Sequence, residues 1–280
     1  MKYLKILLLL SLLILIIAPI SSCGGGGGGG QITIHGRIVN ESSTPLAKGN
    51  YSIQGSGVIG DITADGRFAA ASGEPAGRLI LTNSTSGFRF RRVPFDTAGE
   101  GTLDLGDVTL PNDSLSKGWG AYRDGNLTAA ESYFAAHISA SGRDIKDAKN
   151  GLGWTLAKLG RQEEAFQPLL DALGSGFDPE IRTALAMAYF QRTAKDVYSI
   201  PQAISNVDLA VNADGFYLSK PLHDDISEDD LIAFRAMLNL LDNRTAAAAA
   251  DRNTVLGRTN PRLNRASEDL LQVVDFFLSH

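Results

Sequence analysis

Residues 118–134 read GWGAYRDGNLTAAESYF, and residues 153–169 read GWTLAKLGRQEEAFQPL. Offset by 35 residues, the two segments match at Gly118 and Gly153, Trp119 and Trp154, Gly125 and Gly160, Ala130 and Ala165, and Phe134 and Leu169. The surrounding residues are alanine, leucine and charged types at helical spacing, so the period marks a repeated pair of helices. Gly118 and Gly153 stand where the first helix of a pair must approach its neighbour closely. Gly125 and Gly160 mark the sharp turn between helices, and Ala130 and Ala165 let the second helix cross the first. A third copy runs from Ile181, with Ala186 and Tyr189 in its first helix and Ala203, Val207 and Ala210 in its second. Its internal turn is about five residues longer, and Pro201 starts the second helix.

Toward the C-terminus the repeat fades beyond Asp214. Ser227 followed by Glu228, Asp229 and Asp230 predicts a helix start with acids at the positive end of the helix dipole. Leu231, Phe234, Leu238 and Leu241 continue it as an apolar stripe. TAAAAADRN at 245–253 predicts another short helix, and Ala266 to Leu278 a last one with Leu270, Val273, Val274 and Phe277 inward. The expectation is a degenerate repeat closed by a capping helix, because stacked repeats need an altered end to cover the final apolar face.

Upstream of Pro111 the texture is different. In ITIHGRIVN at 32–40, Ile32, Ile34, Gly36 and Ile38 fall on one face and Thr33, His35 and Arg37 on the other, the period of a half-buried strand. Further strands are expected at Tyr51 to Gln54, Val58 to Thr63, Arg67 to Ala70, Arg78 to Asn83, Phe88 to Pro94 and Leu103 to Leu110. About seven short strands in 80 residues predict an antiparallel β-sandwich. Asp65-Gly66 reads as a tight hairpin turn that returns Phe68 to the core, with Asp61 and Asp65 serving turn chemistry rather than calcium. Arg89, Arg91 and Arg92 are expected to form a basic patch on a solvated face or edge.

These segments resemble known families. HGRIVNESSTPLAKG at 35–49, ITADGRF at 62–68, SGFRFRRV at 86–93 and LDLGDVTL at 103–110 look like the carboxypeptidase regulatory-like family, which implies a transthyretin-like sandwich acting as spacer or accessory binding module. The 35-residue pattern resembles the tetratricopeptide repeat. The fold expected is therefore multidomain: an all-β antiparallel sandwich over 31–110, then an all-α tetratricopeptide-like solenoid over 111–280. In that repeat the first helices line a concave groove, which implies that Trp119, Tyr122, Arg123, Asn150, Trp154 and Lys158 contact a partner peptide of acidic character. Both tryptophans fit equally well as core between helices.

At the N-terminus, Lys2 and Lys5 precede an apolar run from Ile6 to Ile17, interrupted only by Ser11, then Pro19 and ISSCGGGGGGG at 20–30. The run is a secretory signal, short for a membrane span. Ile20-Ser21-Ser22-Cys23 resembles the lipobox of bacterial lipoproteins. That implies a signal peptide over 1–22, cleavage before an acylated Cys23, and Gly24 to Gly30 as a tether reaching roughly 14 Å. Several acyl chains anchor a protein durably where one would be marginal. Gly24 in place of Asp favours the outer membrane in a Gram-negative cell. An ordinary secretory signal or an uncleaved anchor helix is the other reading of the same residues.

Removing residues 1–22 takes away two lysines and no acids, moving the net charge from −5 to −7, which disfavours nucleic acid as a partner. His35, His137, His223 and His280 show no metal-ligand spacing, and the acidic group Asp224, Asp225, Glu228, Asp229 and Asp230 reads as helix N-terminal charge. No nucleophile elbow or phosphate-binding loop is present. The sequence therefore predicts a non-enzymatic, cofactor-free and metal-free lipoprotein that binds other envelope proteins. Envelope carbohydrate or peptidoglycan binding by the sandwich is the alternative, and an unrecognised enzyme site in the C-terminal 70 residues the third reading.

Overall fold

The computed structural model of the chain describes residues 32–54, 58–97, 101–174, 178–192, 199–212, 223 and 226–279. Residues 1–31, on which the expected signal, Cys23 and the expected glycine tether fall, lie outside the described residues, as do Asp224, Asp225 and His280.

Seven strands come first: β1 (Ile32–Val39), β2 (Gly49–Gln54), β3 (Ile59–Asp61), β4 (Arg67–Ser72), β5 (Ala76–Asn83), β6 (Arg89–Asp96) and β7 (Gly101–Thr109). They form two sheets, ordered β4-β1-β7 and β3-β2-β5-β6. Ile32, Ile34 and Ile38 of β1, Phe68 and Ala70 of β4, Ile53 of β2 and Leu79 and Leu81 of β5 share one core, so the period-2 reading holds. Gly36 completes the β1 face because a Cβ there would lie 3.0 Å from the Phe68 ring. One expectation fails: β7 runs parallel to β1. It arrives from the other sheet by a crossover rather than a hairpin, so nothing obliges it to oppose its neighbour. The Asp65-Gly66 turn has Gly66 at φ +81, as expected, but it links β3 and β4, which lie in different sheets.

Arg89, Arg91 and Arg92 do not form a patch. Alternation sends Arg92 to the face opposite Arg89 and Arg91. Arg89 is buried against Glu41 and the Leu110 carbonyl, and Arg91 donates to the Thr109 carbonyl. Asp61 accepts from Asn50, and Asp65 from Thr63 and Arg67, which is turn and strand chemistry. Pro94 sits on β6, an edge strand, where its missing N–H costs no ladder bond to a further strand.

The helices of the described residues are α1 (Ser114–Arg123), α2 (Leu127–Ser139), α3 (Ile145–Lys158), α4 (Gln162–Leu173), α5 (Pro179–Arg192), α6 (Ser199–Val211), α7 (Glu228–Leu241), α8 (Thr245–Leu256) and α9 (Arg265–Ser279). The chain is thus a β part followed by a helical part. A Cβ on Gly118 would meet the Phe134 ring at 2.7 Å, and one on Gly153 would meet Leu169 at 2.4 Å, so the matched residues of the repeat form the same contact twice. Gly125 and Gly160 take φ +76 and +73. The Asn126 N–H donates to the Ala121 carbonyl and the Arg161 N–H to the Leu156 carbonyl, closing both turns identically.

The α7–α8 connection repeats that turn without a glycine. Asn243 holds φ 58, and the Arg244 N–H donates to the Asn239 carbonyl. Ala236 and Ala248 stand fully buried where the first hairpin has Gly118 and Ala130. Ser227 starts α7 with a capping box to Asp230. Asp229 and Asp230 also accept from the Arg262 and Asn264 N–H groups, tying the α8–α9 connection to the start of α7. The last helix is rotated from its expected setting. Leu271 and Val274 face inward, whereas Val273, Phe276 and Phe277 are 40%, 58% and 61% exposed.

The β and helical parts share one core. Ile80 of β5 and Phe90 of β6, on the outer face of the four-stranded sheet, pack with Leu115, Trp119 and Phe134. The consecutive Leu79-Ile80-Leu81 is therefore buried on both faces.

Candidate functional site

The two glycine-tryptophan segments place Trp119 and Tyr122 on α1 and Asn150 and Trp154 on α3, beside one another. Tyr122 meets Trp119 edge-on at 5.6 Å between centroids and Trp154 at 6.5 Å. All four side chains are buried. They therefore form no open groove, which corrects the expectation that they face a partner. The sheet covers them from one side through Phe90, 6.1 Å from Trp119. His223 fills the space between them, 4.3 Å from Trp154, 5.8 Å from Trp119 and 5.5 Å from Tyr122. Only the two cations of the predicted set reach the surface. Lys158 lies over the Tyr122 ring at 4.6 Å, and Arg123 over Phe88 at 4.5 Å.

Behind the aromatic residues runs a buried polar network. The Tyr122 hydroxyl is 3.3 Å from His223 Nδ1, and His223 Nε2 faces Glu180 Oε1 at 3.3 Å. Asn150 Nδ2 donates to the same Glu180 oxygen at 2.6 Å. Arg92 donates from both terminal nitrogens to Glu180 at 2.8 and 3.0 Å, and its Nε is 2.6 Å from Asp147. Arg78 pairs with Asp178 at 2.9 Å. A β6 arginine is thus held between the first turns of α3 and α5.

One cation faces two carboxylates here, and burial sorts them. Glu180 stays well below the usual carboxylate range: burial opposes this, but Arg92 and His223 outweigh it. Asp147 is pushed up to about 6, by burial most of all, with Arg92 pulling it down and the Glu180 carboxylate raising it again. Burial works against the Arg92 charge, and Asp147 and Glu180 more than offset it. Asn150 Oδ1 and the indole N–H groups of Trp119 and Trp154 are buried with no hydrogen-bond partner among the described residues.

Beside the network lies a cavity of about 270 Å³, lined by Arg78, Arg92, Asp144, Lys146, Asp147, Asn150 and Asp178, with Pro94 and Ile181 as apolar wall. A wider, open groove of about 580 Å³ lies on the β part, lined by His35, Arg37, Tyr51, Asp61, Asp104 and Asp107 among others. Among the described residues, no three histidine, cysteine or acidic side chains converge as a metal site would require.

Sequence reasoning missed Arg92, Asp147, Glu180 and His223 as a unit. The signal available was slight: Arg92 stands out of phase with Arg89 and Arg91, and Asp178-Pro179-Glu180 reads as a helix start. No family model matches the chain, and no curated protein matches it.

Proposed function

We propose that the chain is a bacterial envelope lipoprotein, held through acylated Cys23 and the Gly24–Gly30 tether, that serves as a protein-protein interaction or scaffolding module without catalysis. In this reading the β part is a carboxypeptidase regulatory-like sandwich and the helical part a tetratricopeptide-like solenoid. Two sheets around one core and the recurring glycine turns support those assignments. An outer-membrane location follows from Gly24 if the cell is Gram-negative. No described helix is long and apolar enough to cross a membrane.

The observation that carries the interaction role is the face of α9 presented by Val273, Phe276 and Phe277. Neighbouring exposed aromatic and aliphatic side chains at the end of a helical stack suit a partner surface. Glu268 and Asp269 on the same helix are exposed, so the fitting occupant is an envelope protein with an apolar strip bordered by basic side chains. The groove role expected of Trp119 and Trp154 is replaced by this outer face.

A photo-crosslinking residue at Phe277, in membranes carrying the lipidated protein, tests both halves. Expected are a discrete protein adduct at this position, its loss in Cys23→Ser, and transfer of Cys23→Ser from the membrane to the soluble fraction. A variant that fractionates like the wild type defeats the anchor, and the absence of any protein adduct defeats the interaction.

The open groove on the β part favours the carbohydrate alternative, since Tyr51 beside planar acidic and basic groups suits a polar, ring-shaped ligand. Co-sedimentation of the whole protein with peptidoglycan, weakened in an Asp61→Ala, Asp104→Ala variant, is its expected signature.

A further inference from the structure

The uncovered side of α9 is patterned. Ala266, Leu270, Val273 and Phe277 follow one another at spacings of four, three and four residues, the seam along which two helices pack side by side. Ala266, Val273 and Phe277 are exposed and Leu270 is half-buried, whereas Ser267, Leu271 and Val274 are buried against the stack. α7 and α9 start together, where Asp229 and Asp230 accept from the Arg262 and Asn264 N–H groups. Leu241, at the end of α7, therefore lies at the same end of the stack as Phe277 and is 47% exposed. The flank of the seam is acidic. Asp269 is exposed and directly precedes Leu270, a position whose charge selects the partner in a helix pair. Asp275 is matched by Arg252.

We infer that the occupant of this face is a single amphipathic helix of another envelope protein, with aliphatic residues at the same heptad spacing and lysine or arginine on its flanks. The inference rests on the reading of α9 as an interaction surface and adds the form and charge of what it receives. An extended strand does not suit the face, because the backbone groups of α9 are bonded within the helix and only side chains are on offer. A second copy of the chain is a poor match. Its α9 carries Glu268, Asp269 and Asp275 against one arginine, Arg265, so pairing α9 with itself adds no basic flank to meet Asp269. The net charge of −5 acts in the same sense at longer range, repelling another copy and attracting a basic helix.

The test uses the chain from residue 23 onward with Cys23→Ser, in detergent-free buffer. The probe is a designed three-heptad peptide with leucine at the seam positions and lysine on both flanks, followed by fluorescence anisotropy. Expected is saturable binding on the order of 10–100 μM. A peptide with glutamate in place of lysine, and one of the same composition in scrambled order, should each bind roughly tenfold more weakly or worse. Val273→Asp and Phe277→Asp, at exposed positions and with the melting temperature unchanged, should each weaken the lysine peptide by about tenfold. Asp269→Asn should weaken it about threefold and narrow its margin over the glutamate peptide. The helix is overturned by the lack of saturation up to about 1 mM. Equal binding of the glutamate or scrambled peptide, or of the lysine peptide to Val273→Asp, overturns it as well. Photo-crosslinking at Phe277 in membranes separates this outcome from the broader reading. An adduct with another protein but no peptide binding removes the helical occupant alone, and an adduct of two copies of this chain replaces it by a self-pair. No adduct at all removes the interaction surface itself.

Discussion

Trp154 illustrates how little a residue's type says about its address. An aromatic side chain on a repeat helix is as suitable for a binding groove as for a core, and here it is fully buried against His223 and Tyr122. Trp154→Ala should therefore act on stability rather than selectively on a partner. Its expected cost is about 3–5 kcal/mol, read as a fall in the urea midpoint at unchanged slope. Gly118 and Gly153 give a second residue-scale test. Alanine is the better helix former by about 1 kcal/mol, yet its methyl group would stand within 2.7 Å of Phe134 or 2.5 Å of Leu169 side-chain atoms. Overpacking should win, and either substitution should destabilise by roughly 1–3 kcal/mol in thermal unfolding.

Asp147 sets a pH dependence of unusual sign. Its folded carboxyl titrates near 6 against an ordinary value of 3.8, so the folded state holds the proton more tightly. Its contribution to stability is full below about pH 4 and is lost as pH rises through about 6, on the order of 2–3 kcal/mol. Glu180 works oppositely: its contribution is present above about 4.5 and lost as pH falls through its lower folded value. Between about 4.5 and 6 the slope belongs to Asp147, with Arg92, Glu180, Asp144 and Asp178 as its charged surroundings. Asp147→Asn should flatten that window and leave the protein at least as stable at pH 7.5. Equal slopes of unfolding free energy in the two proteins between pH 4.5 and 6 would sink this account.

At the scale of elements, the hairpin turn is the unit that repeats. Gly125, Gly160 and Asn243 occupy one left-handed position in three helical hairpins, and the same hydrogen bond, donated by the residue immediately before the second helix, closes each. Gly160→Ala places a Cβ at φ +73 and should cost about 1 kcal/mol, measured by chemical denaturation. The capping box of α7 belongs to the same scale. Ser227 receives the Asp230 N–H, Asp230 receives the Ser227 N–H, and Asp229 and Asp230 anchor the α8–α9 connection. The acids at 229 and 230 are thus more than dipole ballast, because they fix where α9 begins.

Over the whole molecule, the sheet and the helices are joined by Ile80 and Phe90 in a shared core and by Arg92 and Arg78 in cross-part ion pairs. The full chain should melt in one cooperative transition. An excised 31–112 fragment would expose Ile80, Phe88 and Phe90 and take Asp147 and Glu180 away from Arg92, so it should be less stable and self-associate. Two well-separated calorimetric transitions in the full chain, with the fragment as stable as its counterpart, would show that the parts are independent.

Much of the architecture was legible in order along the chain. Ile32, Ile34 and Ile38 announced a strand face, and the 35-residue offset located the paired helices, because both patterns arise from neighbours within a few residues. The parallel β1–β7 pair was not legible, since strand direction across a crossover leaves no local trace. Nor was the setting of α9, where Val273 and Phe277 satisfy helical spacing as well as Leu271 and Val274 do. The direction in which a helix turns its apolar stripe is chosen by what packs against it.

The amino-acid sequence by itself determined the strands, the helical hairpins and their glycine turns, all of which depend on short-range spacing and backbone freedom. Only the tertiary structure decided that the predicted groove is closed and that Arg92 meets Asp147 and Glu180, with His223 standing among Trp119, Tyr122 and Trp154. Those partners lie 88 residues apart for Arg92 and Glu180 and 101 for Tyr122 and His223. Contacts of that reach are selected by the burial of whole faces against one another, and no local pattern encodes them.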